Sequence, residues 1–272
     1  MVLGAILARH VVRLERALGR RGENLIARRP GATPRVWLAA HYDTKGQRLS
    51  MAGRLVAVGA VVLGTAGFLK LSIAAAFGFT VAATWWWAAA ALVAAGGIAM
   101  AAAGLRNESP GALDNGSGVL AVLAAAEQLR DVPAVGVLLL DAEEFGLVGA
   151  RALAREGVAW LRETAVINLD GLDDSGPMIA FVHRPGPLTD ALCVELGARR
   201  WARLPVFVDG IALAPACREA VTIMRGGWAT TRIVHTPRDT ADRLTYAGVE
   251  TVAAGIVRAL KGAAFSRGLS GA

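Results

Sequence analysis

The sequence predicts an α/β domain, a mostly parallel mixed sheet with helices on both faces, interrupted by an inserted two-helix transmembrane hairpin. Three observations predict it. Beyond residue 106, short apolar runs alternate with segments of helical period, the pattern of a parallel sheet covered on both sides. From Leu55 to Leu105 the only charged residue is Lys70, and crossing a bilayer takes about 20 apolar residues, so this stretch is long enough to cross twice. The chain of 272 residues is 54% hydrophobic yet carries a net charge of +7, which sets an apolar insert apart from an arginine-rich remainder.

The chain opens with Leu3, Ile6, Leu7, Val11, Leu14 and Leu18 at helical spacing and with arginines on the other faces. This is an amphipathic helix, docked on the core or lying on a membrane surface. A short strand, a Gly/Pro turn and a second strand from about Arg35 to Ala40 follow. The insert comes next, with spans near 52–73 and 84–105 and a turn around Phe77 to Thr80. Trp85, Trp86 and Trp87 suit the far interface. Arg48 and Arg54 precede the hairpin and Arg106 follows it, which predicts a multi-pass membrane protein with its remaining residues facing the cytoplasm. A buried Ala/Gly-rich helical pair in a soluble oligomer is the competing reading.

The α/β part is then residues 1–50 and 106–272, and the insert is 51–105. Gly118–Arg130 reads as a helix, Val135–Asp141 as a buried strand and Ala150–Gly157 as a helix. Thr164–Asp170 and Pro177–Val182 read as strands, Leu188–Arg200 as a helix, Thr231–Thr236 as a strand end and Ala247–Phe265 as a closing helix. Cys193 and Cys217 are too few and too far apart for a disulfide framework and read as free thiols. No run interleaves basic and aromatic residues in the manner of a nucleic-acid module, so nucleic acid is not an expected partner.

The chemistry gathers where apolar runs stop. VWLAAHYDT supplies His41 and Asp43, LLLDAEE supplies Glu143 and Glu144, VINLD supplies Asp170 and TRIVHT supplies His235; Asp114 stands just before the Gly118 helix. In an α/β sheet the carboxyl ends of the strands form the ligand edge, so these residues are expected to converge there. His41 and Asp43 are two apart and face the same way on a strand; one can hold a metal while the other orients the ring. Gly116 and Gly118 leave room for the backbone around Asp114. Two adjacent glutamates repel, but a cation beside them reconciles the pair. One binds it and the other remains free to take a proton.

The ordered set AAHYDT, GALDNGSGV, DAEEFGLVGAR, NLDG and HTPRDT resembles the zinc metallopeptidase family with a two-metal co-catalytic site, which includes bacterial aminopeptidases, glutamate carboxypeptidases and glutaminyl cyclases. The resemblance implies a zinc-aminopeptidase-like fold and two Zn2+ ions, or other divalent metals on the same ligands. It implies that His41 and Asp170 bind one metal, that Glu144 and His235 bind the other, and that Asp114 bridges them. Asp43 would orient His41, Glu143 would be the general base, and a cis peptide would join Asp114 to Asn115. The implied activity is that of a membrane-anchored aminopeptidase acting on peptides, with lipid around residues 52–105. Arg218 or Arg225 could instead hold a substrate carboxylate and give a carboxypeptidase or dipeptidase. A glutaminyl cyclase-like acyltransferase with one zinc and an inactive membrane scaffold are the other readings. Two departures bear on specificity. The region upstream of His235, where relatives carry an S-D-H-x-P-F-like segment, reads APACREAV, and no tyrosine lies between Tyr42 and Tyr246.

Overall fold

The computed structural model describes residues 22–202 and 206–262. The predicted N-terminal amphipathic helix and the end of the closing helix lie outside the described residues. Strands are β1 (Leu25–Ala27), β2 (Val36–His41), β3 (Gly46–Gln47), β4 (Leu105–Arg106), β5 (Val135–Leu140), β6 (Ala165–Leu172), β7 (Met178–Arg184), β8 (Arg199–Trp201) and β9 (Glu219–Arg225). The chain divides into two compact units. One holds the described residues up to Thr44, Gly111–Gly227 and those from Thr240 onward; the other holds Lys45–Pro110 and Trp228–Asp239.

In the first unit seven strands form one sheet in the order β1-β5-β2-β6-β9-β7-β8. The central pairs β5–β2, β2–β6 and β6–β9 are parallel, as is β7–β8, while β1–β5 and β7–β9 are antiparallel. All six residues of β2 and all eight of β6 are buried, which is why these strands read as unbroken apolar runs rather than as alternating ones. Alternate β2 side chains serve opposite faces. Val36, Leu38 and Ala40 join a core built with the helices Ser117–Gln128, Pro187–Glu195 and Ala247–Lys261. Trp37 and Ala39 join another core with the Val148–Glu156 helix. Each fully buried Leu or Ile, such as Leu38 and Ile167, contributes about 1.5–3 kcal/mol.

Three elements differ from the sequence expectation. The helix predicted to run to Arg200 ends at Glu195, because Gly197 takes a left-handed φ of 56° and the Ala198 N–H closes onto the Cys193 carbonyl at 2.9 Å. Arg199–Trp201 then becomes the edge strand β8. Glu219–Arg225, which the pattern does not mark as a strand, is β9 and lies between β6 and β7. Thr231–Thr236 is not a strand end: a short helix, Trp228–Thr231, runs on into turns closed by Ile233 N–H to Thr230 O (3.0 Å) and Thr236 N–H to Ile233 O (3.0 Å).

The second unit is dominated by the helices Met51–Ala76 and Ala83–Ala102, both long and apolar enough to cross a membrane, with hydropathies of 1.9 and 1.5. Only 11% of each apolar window is buried, so Val62, Leu63, Leu69, Ile73 and Ile98 face outward. The helices touch backbone to backbone. A Cβ added at Gly64 would fall 2.8 Å from the Ala89 carbonyl oxygen, and one added at Gly96 would fall 3.1 Å from Val61 N. Ser50 starts the first helix by accepting the Gly53 N–H at 3.2 Å, and the β3–β4 ribbon ties the two ends of the hairpin together.

Candidate metal centre

Because β5, β2 and β6 are parallel neighbours, their carboxyl ends lie at one edge of the sheet. His41 is the last residue of β2, Asp170 lies near the end of β6, and the turn after β5 carries Glu143 and Glu144. That turn is tightly specified. Leu147 N–H bonds to Glu143 O at 2.8 Å and Val148 N–H to Ala142 O at 3.0 Å, while Ala142 and Leu147 hold left-handed φ values of 54° and 61°. Non-glycine residues persist in that region only where their surroundings over-determine it.

Asp43 pins the same turn from the other side. Its Oδ1 accepts the Glu143 N–H at 3.0 Å and its Oδ2 accepts the Glu144 N–H at 3.1 Å. One carboxylate thereby fixes the backbone of both glutamates. His41 is 1% exposed, and its Nδ1 lies 3.1 Å from the Asp43 carbonyl and 3.4 Å from Asp43 Oδ1. On the far side, His41 Nε2 lies 3.3 Å from Asp114 Oδ1 and 3.8 Å from Asp170 Oδ1.

The DNGSG segment explains how Asp114 reaches this edge. A cis peptide joins Asp114 to Asn115. Asn115 donates to Leu169 O at 2.9 Å and accepts from Gly118 N–H and Gly171 N–H, both at 3.1 Å. Ser117 donates to Leu113 O at 2.7 Å and accepts the Leu172 N–H at 2.9 Å. Two polar side chains thus bolt the Asp114 loop to β6 on either side of Asp170. A Cβ at Gly118 would come within 2.7 Å of Leu169 O, so this position demands glycine for closeness of approach.

His41, Glu143 and Asp170 each offer a ligand atom within 4.8 Å of the others, and Asp114 and Glu144 offer a pair of such atoms within the same distance. The electrostatics fit a cation. Burial raises the Glu143 carboxyl well above the usual range; His41 pulls it back, and Asp170, Asp209 and Glu144 push it further up. Asp170 is likewise raised by burial against the opposing pull of its His41 contact. Burial works against a charge on His41, yet Asp114, Asp170 and Asp43 outweigh it and lift its pKa well above the ordinary value. Buried carboxylates gathered round one imidazole raise one another's affinity for protons, and a divalent ion among them would invert that balance. Imidazole and carboxylate oxygens are donors that zinc accepts.

Sequence reasoning missed Asp209, the first residue of the short Asp209–Leu213 helix. It is fully buried, neither carboxylate oxygen has a hydrogen-bond partner among the described residues, and burial pushes its pKa to about 8. The only sequence signal was an apolar VFV run closed by Asp-Gly, the form taken by the other site acids.

His235 belongs to the second unit. It is 3% exposed, holds a left-handed φ of 65°, and its carbonyl accepts the Gln47 N–H at 2.8 Å. Arg54 Nη2 contacts its Nδ1.

Residues 95–199 match the family model described as Peptidase family M28. The M28 match spans Asp114, Glu143, Glu144 and Asp170, while His41 and His235 fall outside it. The LapA aminopeptidase of Legionella pneumophila is similar in fold, with a TM-score of 0.51 at 15% identity over 94% of this chain. The chain spans 64% of the length of LapA. An M28 peptidase precursor from Shewanella amazonensis SB2B is 27% identical over 56% of this chain and 38% of its own, with a TM-score of 0.46. A comparison with curated proteins returns no match.

Proposed function

We propose that the chain is a membrane-anchored metallopeptidase that holds two divalent cations, zinc first among them, and removes N-terminal residues from peptides. The observation that carries this reading is the buried carboxylate set around His41 at the carboxyl end of the sheet, with Glu143 held beside it by Asp43. In this reading His41 and Asp170 would hold one ion, Glu144 would hold the other together with His235, which is assigned from the order of the motifs, and Asp114 would be a ligand common to both. The chemistry that such ions would supply is Lewis-acid polarisation of the scissile carbonyl and acidification of the attacking water. Glu143 would accept a proton from the attacking water and return it to the leaving amine. Asp43 keeps the base in place through the Glu143 backbone and keeps the His41 ring in place through Nδ1. The two apolar helices, exposed over most of their length, are read as the anchor, with Arg48, Arg54 and Arg106 on the cytoplasmic side.

The test uses the full chain in detergent or nanodiscs, with metal analysis and paired peptides carrying free and acetylated N-termini. Two metal ions per chain and cleavage confined to free N-termini are expected. One ion with cyclisation of N-terminal glutamine would replace this reading by the acyltransferase. Glu143→Gln should retain both metals and lose about 10²–10⁴-fold in kcat/KM. Unchanged turnover would remove Glu143 from the chemistry, and alkaline carbonate extraction of the chain from membranes would remove the anchor.

A further inference from the structure

The inference concerns Arg54 and rests on the proposed role of His235 as a metal ligand. Arg54 lies in the first turn of the Met51–Ala76 helix, whose start is set by the Ser50 cap. Its Nη2 contacts His235 Nδ1, and the same nitrogen also reaches Met51 Sδ at 3.6 Å. The His235 backbone is held independently of Arg54, its carbonyl accepting the Gln47 N–H at 2.8 Å.

A guanidinium has five N–H donors, no acceptor, and does not lose its proton in proteins. Facing it, Nδ1 of His235 has to be the acceptor, and in a neutral imidazole the ring proton then sits on Nε2. Histidine ligands to metals do the opposite. They present a bare nitrogen to the ion and place the other N–H on a carboxylate, a carbonyl or water. Arginine cannot serve as that second partner. With Arg54 in place, Nδ1 is occupied and Nε2 carries the proton, so neither nitrogen can bind a cation.

We propose that Arg54 is a positioning residue that sets which nitrogen of His235 carries the proton, and that the Arg54–His235 contact and metal ligation by His235 exclude each other. Loading a cation at His235 requires the guanidinium to withdraw and the proton to move to Nδ1. By linkage, whatever holds Arg54 elsewhere strengthens metal binding at His235 by the same factor by which metal binding releases Arg54. The first turn of the apolar helix therefore controls the proposed ligand His235.

The experiment measures Zn2+ affinity of the full chain by competition with a chromophoric chelator, and Co2+ uptake by its visible absorption. It compares wild type with Arg54→Gln, Arg54→Lys and His235→Ala. Glutamine can accept an Nδ1–H through Oε1, and lysine remains a cation with donors only. Arg54→Gln is expected to bind the weaker metal equivalent about 10–100-fold more tightly, the range by which outer partners of a ligand alter affinity. It should also develop the Co2+ absorption of the second equivalent at correspondingly lower concentration, while Arg54→Lys stays near wild type. If Arg54→Gln does not fold, Arg54→Met removes the donor and carries the same expectation. Unchanged or weaker binding in the glutamine or methionine variant, with His235→Ala losing one equivalent, overturns the inference and leaves His235 as a ligand. His235→Ala retaining both equivalents removes His235 from the ligand set and overturns both.

Discussion

Replacing Asp43 with alanine removes a carboxylate that holds the backbone of both glutamates and touches the His41 ring. Two bonds are lost, from Glu143 N–H at 3.0 Å and Glu144 N–H at 3.1 Å. A hydrogen bond to a charged group contributes about 1.5–3 kcal/mol, so the pair sums to roughly 3–6 kcal/mol. Glu144 is only half-buried, so water replaces part of that contribution and the expected loss of stability is about 2–4 kcal/mol. Asp43→Asn keeps an acceptor for one N–H and turns a donor toward the other, for about half the loss. The assay is denaturant unfolding of the full chain in detergent. It is followed by the near-ultraviolet signal of Trp37 and Trp160, whose rings meet edge-on at 4.9 Å in the core of the same unit. Metal affinity measured in parallel should fall about 10–100-fold, because Asp43 also supports the proposed ligand His41. A loss below about 1 kcal/mol in the alanine variant, together with unchanged metal affinity, would refute the reasoning.

Two further outcomes are expected. Gly118→Ala forces a methyl group to within 2.7 Å of Leu169 O and against Asn115, and should cost about 1–3 kcal/mol in denaturant unfolding. An unchanged midpoint would show that the Asp114 loop is not bolted to β6 as described. Burial holds His183 at a pKa of about 4 against an ordinary value of 6.5. Below 6.5 the unfolded ring takes a proton that the native ring refuses, so this group lowers stability as pH falls from 6.5 toward 4 and adds no further loss beyond that. His183→Gln should shrink the decline in unfolding midpoint between neutral and acid pH, and an identical decline in the variant would reject the assignment.

Much of the fold and most of the candidate site were legible because the same physics writes both. A parallel strand buried on both faces has to be a continuous apolar run, so the points at which such runs end in His41, the Glu143/Glu144 pair and Asp170 stand out in the sequence. The misreadings share a cause: tertiary context overrode the local pattern. β9 opens with a buried glutamate, Glu219, whose Oε1 accepts the Thr189 N–H, and contains the buried Thr222, which accepts from Asn168; neither partner is near in sequence. TRIVHT has the β-branched composition of a strand, yet its backbone closes on itself through Thr230. The helix after Leu188 stops at a left-handed glycine that helical periodicity does not register. Asp209 was invisible because one acid after an apolar triplet usually signals no more than a helix start; its complete burial emerges only from the fold.

β2 sends Val36, Leu38 and Ala40 into one core and Trp37 and Ala39 into the other. A slip of one residue along its neighbours would exchange the two sets, leaving an indole where an alanine methyl belongs. The strand is therefore indexed like a ratchet with teeth on both edges, and the imidazole at its tip inherits that indexing. Selection for interior volume at Ala39 or Ala40 is at the same time selection on the coordinates of His41, so drift in the deep interior and drift in the chemistry cannot be separated.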